Sequence, residues 1–378
     1  MSDTLPAIDF AGVRAQYARL APDIDARIRA VLDHGRFIMG PEVTELEAAL
    51  ADFAGADHVV AVSSGTDALL MALMAEKIGP GDAVFVPAFT FTATAEVVLL
   101  LGATPVFVDV DARLFNIDPV ELERHIAEIE VAGEFTPRAV IAVDLFGLPA
   151  DYAALSTLCE ARNMFLLADG AQSFGAGLEG RAVGTLAAAT ATSFFPSKPL
   201  GGYGDGGALL TDDAARAACY RSIRAHGKGD AKYDIVRLGL NARLDTLQAA
   251  ILLAKLPHLA AEIEARARIA TAYDEALSGV IEKPARVAGA HSAWAQYTVL
   301  SNTRDHVAER LKAHGIPTAI YYPRPLHLQP AYAAFGAGEG SLPVAEALCA
   351  RVLSLPMHPD LPLEVVERIT AAFREAIN

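Results

Sequence analysis

Between residues 58 and 211, short apolar runs alternate with stretches of helical periodicity, and that rhythm leaves few folds open to the chain. His58–Val62 reads as a strand and 66–75 as a helix, followed by a strand at 83–87 and a helix at 93–101. Further strands are expected at 105–110, 139–145, 165–168 and 190–195, with Leu209 and Leu210 in a return strand. Such alternation indicates an α/β domain built on a largely parallel sheet. Ahead of it, 23–32 and 43–53 have helical spacing, with Gly40 and Pro41 as punctuation. The pattern changes after about Leu244. A long helical stretch over 244–277 is interrupted only by Pro257, and a strand at 297–300 and a helix at 305–314 follow. Then come a strand near 318–322 and helices at 344–353 and 363–376. We therefore expect a large domain over 1–250 and a smaller C-terminal α/β domain over 251–378.

Composition narrows what such a chain does. Of 378 residues, 53% are hydrophobic, enough for one large core and a second, smaller one. The formal charge of −15 argues against nucleic acid as a partner, yet leaves room for a small anion held by a local patch. Cys159, Cys219 and Cys349 lie far apart, so neither a disulfide framework nor a metal site is expected, and a reducing cytoplasm is the natural setting. The opening Met-Ser-Asp-Thr-Leu-Pro lacks the basic and apolar parts of a signal peptide. The most apolar region, 97–110, is broken by Gly102, Thr104 and Pro105, so no membrane span is expected.

The residues with chemical potential fall into five groups. Lys198 stands between Pro196 and Pro199, and the following proline holds it extended. Five glycines between Gly201 and Gly207 allow backbone to approach a ligand closely, although a surface turn would use them equally well. A phosphate-binding P-loop does not fit, because Lys198 precedes the glycines. Asp169 ends the apolar run Met164-Phe-Leu-Leu-Ala-Asp169, where α/β sheets place their ligands, and Gln172 follows three residues on. Ser63-Ser-Gly-Thr-Asp67 joins a strand to a helix. Its N–H groups, the positive helix end and the hydroxyls of Ser64 and Thr66 suit a phosphate, and simple N-capping would use the same residues. Phe89 and Phe91 follow a strand end and offer an aromatic face. The segment 221–243 is basic, with Arg221, Arg224, Lys228, Lys232, Arg237 and Arg243 beside His226 and against only Asp230 and Asp234. It is the best candidate for receiving an anionic substrate. A lysine, a strand-end acid, an anion cradle and an aromatic face are together what pyridoxal phosphate (PLP) requires.

These motifs resemble those of the DegT/DnrJ/StrS family of nucleotide-sugar aminotransferases. The resemblance runs from Ile8-Asp-Phe and Gly40-Pro-Glu-Val to Leu355-Pro-Met-His-Pro359. Its most specific parts are Ser-Gly-Thr-Asp-Ala-Leu (64–69), Asp-Gly-Ala-Gln-Ser (169–173), the Lys198 segment and Leu-Asn-Ala-Arg-Leu-Asp-Thr-Leu-Gln-Ala-Ala (240–250). It implies the fold type I architecture of PLP-dependent transferases, like that of aspartate aminotransferase. It also implies that Lys198 is the Schiff-base lysine and that Asp169 pairs with the pyridine nitrogen. Gln172 then meets the ring hydroxyl and Phe91 covers the ring. Gly65, Thr66, Asp67 and Ser193 surround the phosphate, and Asn241 reaches it from the neighbouring subunit of a homodimer.

Within the family the likeness is greatest to enzymes that aminate C3 of a UDP-linked 2-acetamido-3-keto sugar, including a 3-keto-hexuronate, for cell-surface polysaccharide or lipopolysaccharide. Phe-Phe-Pro-Ser-Lys-Pro-Leu-Gly, Ala295-Gln-Tyr-Thr-Val299 and Tyr322-Pro-x-Pro325 carry it. Arg243, Tyr321, Tyr322 and His327 are then the substrate-binding residues, with Arg243 at the sugar carboxylate. Tyr321 departs from the uronate enzymes, where a histidine is usual. L-Glutamate is the implied amino donor, with pyridoxamine phosphate as the amino-carrying form. Other nucleotide-linked keto sugars (dTDP or GDP, C3 or C4) are the alternative. A sugar dehydratase of this fold carries histidine at the lysine position, and a non-catalytic PLP-binding sensor lacks the Lys, Asp or interface Asn; here Lys198, Asp169 and Asn241 are all present.

Overall fold

Strands buried from end to end form the centre of the chain. The computed structural model describes residues 8–231 and 233–377; the opening hexapeptide and Lys232, both used in reading the sequence, lie outside the described residues. Seven strands make one sheet: β1 (His58–Val62), β2 (Asp82–Pro87), β3 (Thr104–Val108), β4 (Thr136–Val143), β5 (Phe165–Asp169), β6 (Ala189–Ser193) and β7 (Gly207–Thr211). Their order across the sheet is β1-β7-β6-β5-β4-β2-β3. Only β7 runs against its neighbours, pairing Leu210 with Val59 of β1 on one side and with Thr190 of β6 on the other. Every residue of β5 and β7 is buried. Continuous apolar strands of this kind need cover on both faces, which is why helices are interleaved between them.

Those helices are α1 (Val13–His34), α2 (Pro41–Ala54), α3 (Gly65–Ala75), α4 (Ala93–Leu100), α5 (Pro119–Ala132), α6 (Tyr152–Ala161) and α7 (Ala214–Arg224), followed by α8 (Thr246–Lys255) and α9 (Leu259–Ala276). One face of the sheet packs Val60, Val84, Ile141 and Leu167 against Met71 and Leu73 of α3. The other packs Phe85, Val140 and Leu166 against Leu122 of α5 and Leu155 of α6. Burying each such side chain contributes about 1.5–3 kcal/mol. A separate cluster joins Tyr273 of α9 to β8 (Tyr297–Leu300), β9 (Val352–Leu355), α10 (Arg304–Ala313) and α12 (Leu363–Ile377), and Tyr273 and Tyr297 stack with ring centroids 4.7 Å apart.

Several expectations need correction. The stretch at 318–322 is not a strand, since only Ala319 makes a bridge, to Ser354. The helix expected over 344–353 is α11 (Pro343–Arg351), and the chain turns extended at Val352 to enter β9 and pair with β8. The long stretch 244–277 is two helices, parted by a tight turn at Leu256–His258 that contains Pro257. The first helix begins at Val13 and continues through Pro22. No helix among the described residues is long and apolar enough to cross a membrane.

Candidate active site

The C-terminal ends of β5 and β6 and the start of α3 meet at one cleft of about 450 Å³, where sheets of this kind bind ligands. Asp169 is the last residue of β5, and its carboxylate accepts hydrogen bonds from the Thr94 hydroxyl (2.9 Å) and the Ala171 N–H (3.2 Å). Burial pushes its pKa up, against the pull of those two donors and of Lys198. Lys198 enters from the turn after β6. Its N–H donates to the Phe195 carbonyl (2.8 Å), and four residues later Gly202 donates to Phe194 (2.7 Å), so the lysine rides on a closed loop. Burial lowers the pKa of its amine, and Asp169 opposes that shift. No described residue gives this amine a hydrogen bond or ion pair. A partly shielded, uncommitted amine facing a buried carboxylate is a reactive arrangement, costly to keep for structure alone.

The anion cradle lies on the same cleft. Ser64 caps α3 by accepting from the Asp67 N–H (3.0 Å). The N–H groups of Gly65 and Thr66 have no carbonyl partner within the helix and sit at its positive end. Gly65 is required, because a Cβ there would stand 2.7 Å from the Cβ of Ser193. Gly207 is required for a similar reason, its Cβ falling 2.5 Å from the Ser64 carbonyl. Ser64, Gly65, Thr66 and Ser193 all line the cleft. The Asp67 side chain turns away, accepting a hydrogen bond from Ser63.

Phe91, Gln172, Tyr321 and Tyr322 form another wall. Phe91 is 54% exposed, an open aromatic face with its ring 6.2 Å from that of Tyr322. Gln172 accepts from the Phe146 N–H (2.7 Å), and burial pushes the pKa of the Tyr322 hydroxyl up. Asn241 and Arg243 do not line this cleft. They lie on an extended segment beside β1, where Ser63 donates to the Ala242 carbonyl (3.0 Å) and the Arg243 guanidinium donates to Asn241 Oδ1 (2.7 and 3.0 Å). His327, expected at the substrate, is instead buried, its Nε2 3.1 Å from the Glu346 carboxylate. In the basic segment, Arg224 is buried and ion-paired to Glu47, so it serves the fold and not a ligand.

Four residues of this region carry no role in the sequence analysis. Thr94 binds Asp169 directly. Asp144, just past β4, accepts from Ala150 N–H (2.8 Å), the Tyr152 hydroxyl (2.8 Å) and the Ser173 hydroxyl (2.7 Å), and burial pushes its pKa up to about 7. It ends an apolar run just as Asp169 does, and that signal was available. Asp205 and Gln296 also line the cleft, and Gln296 Oε1 is buried with no partner among the described residues.

The lysine, the strand-end acid, the cradle and the aromatic wall converge on one cleft, as PLP requires. Comparison with known proteins agrees. The DegT/DnrJ/EryC1/StrS aminotransferase family profile matches residues 19–374. The chain is 47% identical, over 97% of its length and 99% of the relative's, to a UDP-2-acetamido-2-deoxy-3-oxo-D-glucuronate aminotransferase of Pseudomonas aeruginosa. It is 44% identical, over 98% of both chains, to a UDP-N-acetyl-3-dehydro-alpha-D-glucosamine 3-aminotransferase of Acidithiobacillus ferrooxidans. Among solved structures, a DegT/DnrJ/EryC1/StrS aminotransferase from Brucella abortus superposes with a TM-score of 0.96 at 49% identity, covering 97% of this chain and 99% of that one. The PLP form of a putative sugar aminotransferase from Streptococcus pneumoniae gives 0.87 at 25% identity, over 99% of this chain and 98% of its own. The chain belongs to the DegT/DnrJ/EryC1/StrS aminotransferase family, whose members are PLP-dependent.

Proposed function

We propose that this chain transfers an amino group from L-glutamate to C3 of a UDP-linked 2-acetamido-3-keto sugar, the 3-keto-hexuronate included. The observation that carries the reaction class is the uncommitted Lys198 amine beside a buried Asp169 carboxylate in one cleft. Near-full-length likeness to the Pseudomonas and Acidithiobacillus enzymes supports the sugar class. When bound, PLP supplies an aldehyde that carries the amino group and an electron-poor ring that stabilises negative charge on the substrate carbon.

The chain's own residues do the rest. Lys198 would hold the cofactor through its amine, and that amine, when free, is the group placed to accept and deliver a proton at the substrate carbon. Burial lowers the pKa of that amine, which favours the neutral form a base requires. Asp169 would pair with the ring nitrogen, where a cation would offset the burial that raises its pKa. It transfers no proton itself. Gly65, Thr66 and Ser193 would hold the phosphate, with Asp67 steadying the turn through Ser63. Gln172 would meet the ring hydroxyl and Phe91 cover the ring face, with Tyr321 and Tyr322 on the same cleft towards the substrate.

The same reading includes a homodimer. Asn241 and Arg243 do not line their own cleft, and they follow exposed Ile235, Val236 and Leu238 (58, 53 and 87%) in the chain. A second copy covering these residues would bring Asn241 to the partner's phosphate and Arg243 to a sugar carboxylate. The reading also places the enzyme in the cytoplasm, in the supply of amino sugars for surface polysaccharide, and divides the chain at about residue 250.

The test is to give the holoenzyme L-glutamate and UDP-linked 3-keto sugars with and without a C6 carboxylate, and to weigh the products. An amino sugar is expected. Formation of none from either substrate refutes the sugar class, and turnover by Lys198→Ala refutes the role of Lys198. Unchanged turnover of the uronate by Arg243→Ala removes Arg243 from the carboxylate.

A further inference from the structure

The loop carrying Lys198 rests on a second lysine. Lys255, the last residue of α8, has a buried side chain whose Nζ donates to the Gly201 carbonyl (2.6 Å), three residues past Lys198. The same ammonium lies 4.1 Å from the ring centre of Tyr203, so it holds the loop at two points. Two turns of helix earlier, Gln248 Oε1 accepts from the Tyr203 N–H (2.8 Å). Leu200, between the two lysines, packs with Leu252 and Leu256 in one cluster. On its own side the loop has little slack. A Cβ on Gly201 would collide with the Pro196 carbonyl, and one on Gly204 would stand 2.9 Å from Gln248.

Burying an ammonium is expensive, and this one has a thin set of partners. Burial lowers its pKa to about 8, and Glu262 is the charged group that opposes the shift. A methionine would fill the same space without that cost, so packing alone does not explain the lysine. Its two contacts both fall on the segment that projects Lys198.

We infer that Lys255 is a positioning residue for the transamination: its ammonium, bound to the Gly201 carbonyl and the Tyr203 ring, fixes the loop from which Lys198 reaches the cleft. The inference rests on the reading of Lys198 given above. Without the ammonium, Lys198 keeps its chemistry and loses its aim, and small misplacements of a reacting group are costly in rate.

The test compares the Lys255→Met holoenzyme with wild type at equal cofactor content, using steady-state kinetics and melting temperature. The expected result is a kcat lowered roughly 10- to 100-fold with KM for both substrates little changed. Tyr203→Leu, which leaves Lys255 in place, should lower kcat in the same sense by less, and it serves if Lys255→Met does not fold. Leu122→Ala, on α5 and packed with Phe85 and Val140 on the other face of the sheet, is the stability control: Tm should fall while kcat holds. Wild-type kcat in folded Lys255→Met overturns the inference, as does an equal loss of kcat in Leu122→Ala. If Lys198→Ala also turned over, the reading of Lys198 would have failed instead.

Discussion

Asp169→Asn isolates charge from shape. Asparagine is isosteric, and its amide can donate to Thr94 Oγ1 while its carbonyl accepts from the Ala171 N–H, so both present hydrogen bonds survive. What disappears is one buried negative charge. At about 4 Å and an effective dielectric near 20, a unit charge pair is worth about 4 kcal/mol. That pairing grows in importance as the ring gains electron density, so most of it falls on the transition state. At about 1.36 kcal/mol per tenfold, the glutamate half-reaction should slow about a thousandfold. Lys198 also loses the neighbour that holds its pKa up, so its amine becomes still less basic. The assay is rapid-mixing absorbance of the cofactor after adding L-glutamate, at full cofactor occupancy. A variant within tenfold of wild type would refute the argument that Asp169 acts by its charge.

Three further outcomes follow from particular contacts. Gly65→Ala puts a Cβ 2.7 Å from Ser193 in the anion cradle, so cofactor affinity should fall at least about tenfold in a fluorescence titration, a loss of about 1.4 kcal/mol. Glu47→Ala strands the buried Arg224 guanidinium and removes the acceptor of the Ala61 N–H (2.9 Å); denaturant unfolding should show a loss of about 3–5 kcal/mol. Asp144 binds its proton more tightly folded than unfolded. It therefore stabilises the fold fully below about pH 4, and that contribution is lost as pH rises to about 7. Between those limits, melting temperature should depend less on pH in Asp144→Asn than in wild type; an unchanged dependence would contradict the assignment.

The strands and the cleft were legible in the sequence because each rests on local order. Runs such as Phe165–Asp169 are apolar throughout, and an acid ending such a run stands at a sheet's ligand-binding edge. Lys198 was marked by its prolines, and the α3 cradle by the Ser-Gly-Thr turn. Long-range pairings were hidden. The strand Val352–Leu355 looked like the end of a helix because its partner, Tyr297–Leu300, lies some fifty residues earlier. Thr94 contacts Asp169 across 75 positions, and nothing near it in sequence announces that bond. His327 was named from likeness to relatives and from no local pattern, and its ring lies against Glu346. Arg243 stood out locally only as one of several basic residues in 221–243, and its role, like that of Asn241, follows from likeness to relatives, since their proposed targets lie on another copy of the chain.

The central claim is that Lys198 alone carries the cofactor, and it is tested most directly by fixing that bond in place. The PLP-loaded protein is reduced with borohydride, digested and mapped by mass spectrometry. The account predicts the phosphopyridoxyl mass on Lys198 and on no other lysine, and none at all on the Lys198→Ala protein. A label on Lys255 or any other lysine, with Lys198 unmodified, would contradict it.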